Sequence, residues 1–247
     1  MSAARDKLKE VFGYEAFRPG QEEAVEATLR GRDVLAVMPT GAGKSVCYQI
    51  PALLLPGITL VISPLISLMR DQVGALTQNG VPAAYLNSSL TPRQHELALR
   101  NAREGRYRII YVAPERLTSQ AFLDFALGAR IAQIVVDEAH CVSQWGQDFR
   151  PGYLNIAPFI ARFEKRPPVS AFTATATRAV RRDIVELLHI NYDGKLRIFE
   201  SIIPISVRAA ETSAEGRSIY LHDPAGKVAV AYTALTREVM EYERQCI

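Results

Sequence analysis

Cysteine is scarce in this chain. Its 247 residues include three cysteines, Cys47, Cys141 and Cys246, which lie far apart and form no Cys-x-x-Cys pair. Disulfide frameworks and structural zinc sites both depend on closely spaced cysteines. We therefore expect no disulfide framework, no zinc and a reducing compartment.

Long hydrophobic runs are also missing. No stretch approaches the roughly 18 apolar residues of a membrane span, and residues 1–10 carry charges where a signal peptide would have an apolar segment. We therefore expect a cytoplasmic protein with no membrane association. A hydrophobic content of 48% and a net charge of only +3 are typical of a globular protein, and the length fits one large α/β domain or one and a half ordinary domains.

Short β-branched runs alternate along the chain with segments whose apolar residues have helical spacing. Helices are predicted at 21–30, at 65–79, and from Thr91 and Pro92 to near Gly105. The alternation predicts an α/β fold in which a doubly wound, mostly parallel sheet is flanked by helices. The predicted strands are 34–38, 58–62, 83–86, 108–112, 131–136 and 169–173.

The first predicted strand leads through a glycine-containing loop into a helical segment. Loop N–H groups at a helix N-terminus can bind the phosphates of a nucleoside triphosphate, while Lys44 reaches the β and γ oxygens and the Ser45 hydroxyl binds Mg²⁺. Met38 stands where the usual pattern has its first glycine, and the alternative is a glycine-rich turn with an incidental lysine. The loop consists of Pro39, Thr40, Gly41, Ala42, Gly43, Lys44 and Ser45.

Two adjacent carboxylates follow the apolar strand predicted at 131–136. Asp137 would hold Mg²⁺, and Glu138 would orient or deprotonate the attacking water. His140 could sense the γ-phosphate or connect to a DNA-binding surface. The alternative is a pair of acids that caps the following helix.

These residues occur in an order that resembles motifs I, II and III of superfamily 2 helicases, and two further runs make the resemblance specific to the RecQ family of DNA helicases. It covers about residues 1–190 and implies a P-loop NTPase fold of the RecA type. It also implies a bacterial, nucleoid-associated, monomeric enzyme that uses ATP and Mg²⁺ to unwind DNA 3′ to 5′ in repair and recombination. The residues are Phe17, Arg18, Pro19, Gly20 and Gln21, Lys44 and Ser45, residues 137–151, and Thr173, Ala174 and Thr175.

The resemblance also implies roles for individual residues. Phe17, Arg18 and Gln21 would recognise adenine, with Tyr14 or Phe17 against the base, whereas Gln21 could instead be a surface residue at a helix start. Single-stranded or junction DNA would be bound without sequence preference, at the phosphates and by base stacking. Trp145 and Phe149 are the aromatic residues that would stack on bases, and the alternative is that they cover the core. The implied DNA-binding residues are Ser63, Arg70, Arg116, Trp145, Phe149 and Arg150, and the implied coupling residues are His140, Gln144, Thr173 and Thr175.

Similarity to the RecQ family ends near His189, which divides the chain into an ATP-binding lobe at 1–190 and a tail at 191–247. The tail resembles the C-terminal end of ParA-type partitioning ATPases, and the alternative is a family-specific tail that packs on the lobe. The residues that carry the resemblance are Phe199, Glu200, Ser201, Ile202, Ile203, Pro204, Val207, Arg208, Glu211, Gly216, Asp223, Tyr232, Leu235 and Glu238.

The second lobe of a helicase supplies an arginine finger, and its Gln-x-x-Arg-x-Gly-Arg pattern does not occur in the tail. Because such a residue contributes on the order of 10³ to 10⁵ in turnover, we expect this chain alone to hydrolyse ATP weakly. Two alternative functions therefore remain. One is an ATP-responsive DNA-binding fragment without unwinding activity, and the other is a ParA-like partitioning ATPase.

Overall fold

A computed structural model describes residues 1–143, 148–188 and 218–245 of the chain. The chain forms two compact units, Met1–Tyr192 and Asp193–Ile247. In the described part of the second unit, helices α9 and α10 span Ile219–His222 and Lys227–Gln245. All strands described below belong to the first unit.

The first unit contains a six-stranded sheet in the order β1-β6-β5-β2-β4-β3, in which every neighbouring pair is parallel. Side chains on both faces are buried, as expected for apolar strands covered by helices on each side. The predicted α/β fold is confirmed, and two strands are one residue shorter than predicted. The strands are β1 Val34–Val37, β2 Ile58–Ile62, β3 Ala83–Leu86, β4 Ile109–Val112, β5 Ile131–Val136 and β6 Val169–Thr173.

Eight α-helices and three 3₁₀ helices are described in the first unit. The start of α5 shows how local sequence sets a boundary: Thr91 and Gln94 form a reciprocal capping box, and Pro92 occupies the first turn. The α-helices are α1 Ser2–Phe12, α2 Gln21–Leu29, α3 Lys44–Leu54, α4 Ile66–Gln78, α5 Pro92–Arg103, α6 Gln120–Gly128, α7 Ile156–Ile160 and α8 Arg178–Leu187, and the 3₁₀ helices are Pro114–Thr118, Ala139–Val142 and Pro151–Asn155.

The core lies on both faces of this sheet because successive side chains of a strand point to opposite faces. On one face, Val136 packs in a cluster that includes residues of α5 to α8. On the other, Val135 packs in a cluster with residues of α2, α3 and α4. All six strands are parallel, so the loops that follow them gather at one edge of the sheet, where the predicted site residues lie.

Candidate nucleotide and nucleic-acid site

The loop between β1 and α3 has the backbone that its glycines predict. Gly41 and Gly43 have φ values of 81° and 79°, a left-handed conformation that other residues rarely adopt. Helix α3 begins at Lys44, so the unpaired N–H groups of its first turn face the loop. The Lys44 ammonium donates to the carbonyl oxygen of Met38 at 3.2 Å, which folds its side chain back over the loop.

Gln21 is attached to this loop rather than free at the surface. The residue is only 3% exposed, and its amide nitrogen donates to the carbonyl oxygens of Ala42 at 2.9 Å and Gly43 at 3.0 Å. Its amide oxygen accepts from the Arg18 backbone N–H at 2.8 Å, and the Arg18 guanidinium donates to the Gly41 carbonyl at 2.6 Å. All the amide atoms of Gln21 are therefore occupied, and contact with an adenine edge would require some of these bonds to be exchanged.

The apolar side chain of Phe17 has a different environment. It packs against the buried cluster formed by α1, α2 and α3, whereas Tyr14 is 51% exposed. Of the two aromatic residues that were predicted as alternatives beside the base, Tyr14 therefore has the more accessible ring.

Asp137 follows β5 and is 7% exposed. Its carboxylate accepts hydrogen bonds from the Ser63 hydroxyl at 3.3 Å and from the Glu138 backbone N–H at 3.0 Å. Burial, followed by the neighbouring charge of Glu138, raises the pKa of Asp137 from 3.8 to about 6. Mg²⁺ prefers hard oxygen ligands, and it would also neutralise this buried negative charge. The Asp137 carboxylate and the Ser45 hydroxyl would hold the ion.

Glu138 has a strained backbone, with φ 47° and ψ 48°. Among the described residues it is the one non-glycine position with positive φ. Left-handed non-glycine residues concentrate at functional sites, where surrounding contacts hold them. Here the chain turns directly after β5, and the side chain of Glu138 stays partly exposed at the sheet edge.

His140 connects this acid to β6. Its Nδ1 lies 2.8 Å from Thr173 Oγ1 and 3.3 Å from Glu138 Oε2. The Thr173 hydroxyl gives its proton to the Thr175 carbonyl at 3.0 Å, so the Nδ1 atom of His140 must carry the proton that joins it to Thr173. Hydrogen bonds therefore join the predicted coupling residues His140, Thr173 and Thr175, and Glu138 lies beside the His140 ring.

Ser63 was predicted at the DNA surface, and its side chain is buried beside Asp137. The residue is 1% exposed, and its hydroxyl donates to Asp137. This side chain therefore faces the acid pair instead of solvent, because β2 and β5 are adjacent and Ser63 and Asp137 both follow the ends of their strands. A DNA phosphate could not reach the Ser63 hydroxyl without displacing this bond.

The predicted cationic DNA ligands lie in segments that follow strands at the same edge. Arg70 on α4 is exposed. Arg116 donates to the Asn87 carbonyl at 3.2 Å, and Arg150 donates to the Pro64 carbonyl at 3.1 Å. Arg150 thereby fixes the end of the predicted aromatic-rich loop against the segment that precedes α4.

Two predicted residues of that aromatic-rich loop, Gln144 and Trp145, lie outside the described residues. Phe149 is partly buried, and Thr175 is exposed beyond β6. The positions of Phe149 and Thr175 agree with a role at the surface.

Sequence patterns gave no indication of two other contacts. The buried Tyr153 hydroxyl donates to the Asp137 carbonyl at 2.8 Å, and Ser143 donates to Asp183 on α8 at 2.5 Å. Both contacts hold the segment after the acid pair. They join residues far apart in sequence, and neither residue type signals such a partner.

A second group of metal-binding side chains lies nearby. Within the described ranges, ligand atoms of His140, Cys141 and Asp148 lie within 4.8 Å of one another. Burial raises the pKa of the Cys141 thiol to about 12, so a thiolate there would be costly without a cation. The hard oxygen set at Asp137 and Ser45 fits Mg²⁺ better.

Comparison with known proteins agrees with this geometry. A family profile described as "DEAD/DEAH box helicase" matches residues 18–183. The ATP-dependent DNA helicase RecQ of Bacillus subtilis is 42% identical over 245 residues, which cover 98% of this chain and 42% of the relative. RecQ of Haemophilus influenzae is 50% identical over 184 residues, which cover 74% of this chain and 29% of the relative. The chain therefore spans less than half the length of these curated relatives.

Solved structures support the fold. A hypothetical ATP-dependent RNA helicase from Sulfolobus tokodaii superimposes with a TM-score of 0.61 at 21% identity, over 78% of this chain and 56% of that one. The DUF1998 helicase MrfA bound to DNA gives a TM-score of 0.61 at 18% identity, over 77% of this chain and 28% of that one. Among the described helices, none has the length and apolar character to cross a membrane.

Proposed function

The chain belongs to the DEAD/DEAH box helicase family, and we propose that residues 1–190 form the ATP-binding lobe of a RecQ-type DNA helicase. The complete activity would be unwinding of DNA in the 3′ to 5′ direction, driven by ATP hydrolysis. One observation carries the proposal: the phosphate loop and the acid pair follow strands of one parallel sheet, so they lie at the same edge.

The residues at this edge would divide the chemistry of hydrolysis among them. The α3 N-terminus and Lys44 would bind the phosphates, and a magnesium ion held by Ser45 and Asp137 would neutralise their charge. Glu138 would orient the attacking water or take its proton. The His140 contact with Thr173 would link Glu138 to the loop after β6, which carries Thr175.

DNA would bind along the same edge through its phosphates. Arg70 and Arg116 supply cations without reading bases, which suits a motor that moves along any sequence. Phe149 and Trp145 would add stacking worth about 1 to 3 kcal/mol per base. We propose single-stranded or junction DNA as the substrate class.

Further parts of this proposal rest on the resemblance to the RecQ family. The protein would act as a monomer in the bacterial cytoplasm, associated with the nucleoid, with Mg²⁺ as its metal and without zinc. The tail at 191–247 was predicted either to resemble ParA-type ATPases or to be a family-specific segment. The alignment with Bacillus subtilis RecQ covers 98% of the chain and so extends into the tail, which favours a family-specific segment over a partitioning ATPase.

A second candidate function is an ATP-responsive DNA-binding protein without unwinding activity. The described residues form one six-stranded sheet, whereas unwinding needs two lobes that move against each other. Strand displacement measured beside DNA binding separates the two functions. Displacement by the purified chain supports the helicase, whereas nucleotide-dependent binding without displacement supports the second candidate.

Nucleotide binding itself is tested by Lys44→Ala. We expect the affinity for a fluorescent ATP analogue to fall at least tenfold, because the ammonium contact with the β and γ oxygens is lost. Lys165→Ala is the matched control, since Lys165 is exposed and precedes β6, at the opposite edge of the sheet. Unchanged binding by Lys44→Ala would place the nucleotide elsewhere.

A further inference from the structure

Tyr153 lies in the 3₁₀ helix Pro151–Asn155, and 0% of the residue is exposed. Its hydroxyl donates to the backbone carbonyl oxygen of Asp137 at 2.8 Å. A phenylalanine would supply the same apolar ring, so this bond is what the hydroxyl adds. Burial raises the pKa of Tyr153 well above its ordinary value, so the hydroxyl keeps its proton and remains a donor at neutral pH.

The carbonyl that accepts from Tyr153 belongs to the peptide between the two acids. The N–H of the same peptide, on Glu138, donates to the Asp137 carboxylate at 3.0 Å. Both polar groups of this peptide are therefore hydrogen-bonded, and one of the two bonds comes from a residue 16 positions away. Together the two contacts fix the orientation of the peptide plane.

The peptide that follows Glu138 is held as well, because its carbonyl oxygen accepts from the Cys141 N–H at 2.9 Å. Between two adjacent peptide planes, φ and ψ are the only soft rotations. Holding both planes therefore holds Glu138 at φ 47° and ψ 48°, a conformation that a non-glycine residue adopts only at a cost. The same two angles set the direction in which the Glu138 side chain leaves the backbone.

We propose that Tyr153 is a positioning residue whose hydroxyl holds the peptide between Asp137 and Glu138 and so directs the Glu138 carboxylate towards the attacking water. Without the hydroxyl, the buried carbonyl of Asp137 loses its partner, and the strained peptide is free to rotate. The inference rests on the proposed function. It also connects the acid pair to a predicted DNA ligand, since the Tyr153 N–H donates to the Arg150 carbonyl at 2.9 Å.

The first test separates nucleotide binding from hydrolysis. The 247-residue chain and Tyr153→Phe are titrated with a fluorescent ATP analogue, and ATP hydrolysis is measured with the chain in excess over ATP. We expect unchanged affinity, because Ser63 still holds the Asp137 carboxylate. Hydrolysis should be roughly fivefold slower, the effect of one lost hydrogen bond.

Tyr111→Phe is the matched control. Tyr111 is also buried, and its hydroxyl donates to the amide oxygen of Gln72 on α4 at 3.4 Å. The control therefore removes a buried, hydrogen-bonded hydroxyl of the same kind from another part of the sheet. It should lower the melting temperature and leave both the affinity and the rate of hydrolysis unchanged.

A second test measures the backbone strain and needs no hydrolysis. Tyr153→Phe and Glu138→Gly are made singly and together, and the urea midpoint of unfolding is measured in EDTA. With glutamate at 138, loss of the hydroxyl lets the strained backbone relax, which offsets part of the lost bond. Glycine at 138 has no strain to relax, so Tyr153→Phe should lower the midpoint further in that background. Tyr111→Phe should lower it equally in both.

A wild-type rate of hydrolysis in Tyr153→Phe would overturn this inference alone, and so would equal falls in affinity and rate or equal losses of stability in the two backgrounds. If hydrolysis by the wild-type chain is too slow to measure, the stability comparison decides. A wild-type chain that binds no nucleotide would overturn the proposed function, whereas the stability comparison would still report whether Tyr153 holds this peptide.

Discussion

The amide nitrogen of Gln21 lies 3.0 Å from the carbonyl oxygen of Gly43 and would lie 2.6 Å from a β-carbon added at that glycine. Real β-carbons essentially never lie this close to another heavy atom. Gln21 can therefore keep its contact with the loop only while residue 43 is glycine. The segment predicted to recognise adenine and the loop predicted to bind phosphates are thereby held together without a ligand.

Gly43→Ala should therefore reduce both stability and nucleotide affinity. The new methyl group would displace Gln21 from the loop, and the positive φ would add strain of about 1 kcal/mol. Gly41→Ala is the matched control, because Gly41 has φ +81° but open space around its Cα. Thermal melting and analogue titration should show a larger loss for Gly43→Ala, and equal losses would mean that the Gln21 contact is unimportant.

The buried carboxyl of Asp137 should give the metal-free chain an unusual dependence of stability on pH. Its pKa rises from 3.8 to about 6 on folding, so the folded state binds the proton more tightly than the unfolded state. Ionisation of the buried carboxyl therefore destabilises the folded state. This destabilisation is absent below about pH 4, grows as the pH rises, and is complete above about pH 6, where it reaches on the order of 3 kcal/mol.

Asp137→Asn removes this buried charge. In EDTA at pH 7.5 we expect the variant to melt several degrees above the wild type, and the difference should disappear towards pH 4. With Mg²⁺ and nucleotide the order should reverse, because the variant lacks the charged metal ligand. A melting difference that is constant across pH would show that Asp137 does not titrate in this range.

The strained backbone of Glu138 gives a separate prediction. Glu138→Gly should raise the stability of the metal-free chain by about 1 kcal/mol, since glycine adopts positive φ without strain, while ATP hydrolysis is lost. Glu186→Gly, within helix α8, should instead lower stability by a similar amount. Chemical denaturation measures both changes, and destabilisation by Glu138→Gly would mean that its side-chain contacts outweigh the strain.

Arg70 tests the proposed DNA surface. Arg70→Ala should weaken binding to single-stranded oligonucleotides of different sequence by the same factor. It should also reduce the slope of log affinity against log salt by about 0.7, the value for one phosphate contact. Arg32, which is exposed just before β1 at the opposite sheet edge, is the control. Equal effects of Arg32→Ala would indicate general charge attraction instead of a defined site.

The sequence predicted the sheet well because its strands are short, apolar and separated by helical periods. Helices α1, α6, α7 and α8 were not predicted. Phe122, Leu123 and Phe125 make α6 apolar on most of its surface, so it lacks the periodic stripe that identifies an amphipathic helix. Helix α7 has only five residues, too few to show a period.

Local patterns also identified the phosphate loop and the acid pair, because their chemistry depends on residues adjacent in sequence. The contacts of Ser63 and Gln21 could not be predicted in this way. Ser63 meets Asp137 only because β2 and β5 are neighbours in the sheet. Gln21 meets the loop because α2 packs beside α3. Both depend on tertiary packing that no local pattern encodes.

The most direct test of this account is a crystal structure of the chain with Mg²⁺ and a nonhydrolysable ATP analogue. The account predicts phosphate oxygens on the backbone N–H groups of residues 41–45 and on the Lys44 ammonium. It also predicts the metal between the Ser45 hydroxyl and the Asp137 carboxylate. A nucleotide bound at another surface, or a metal that contacts neither Ser45 nor Asp137, would contradict it.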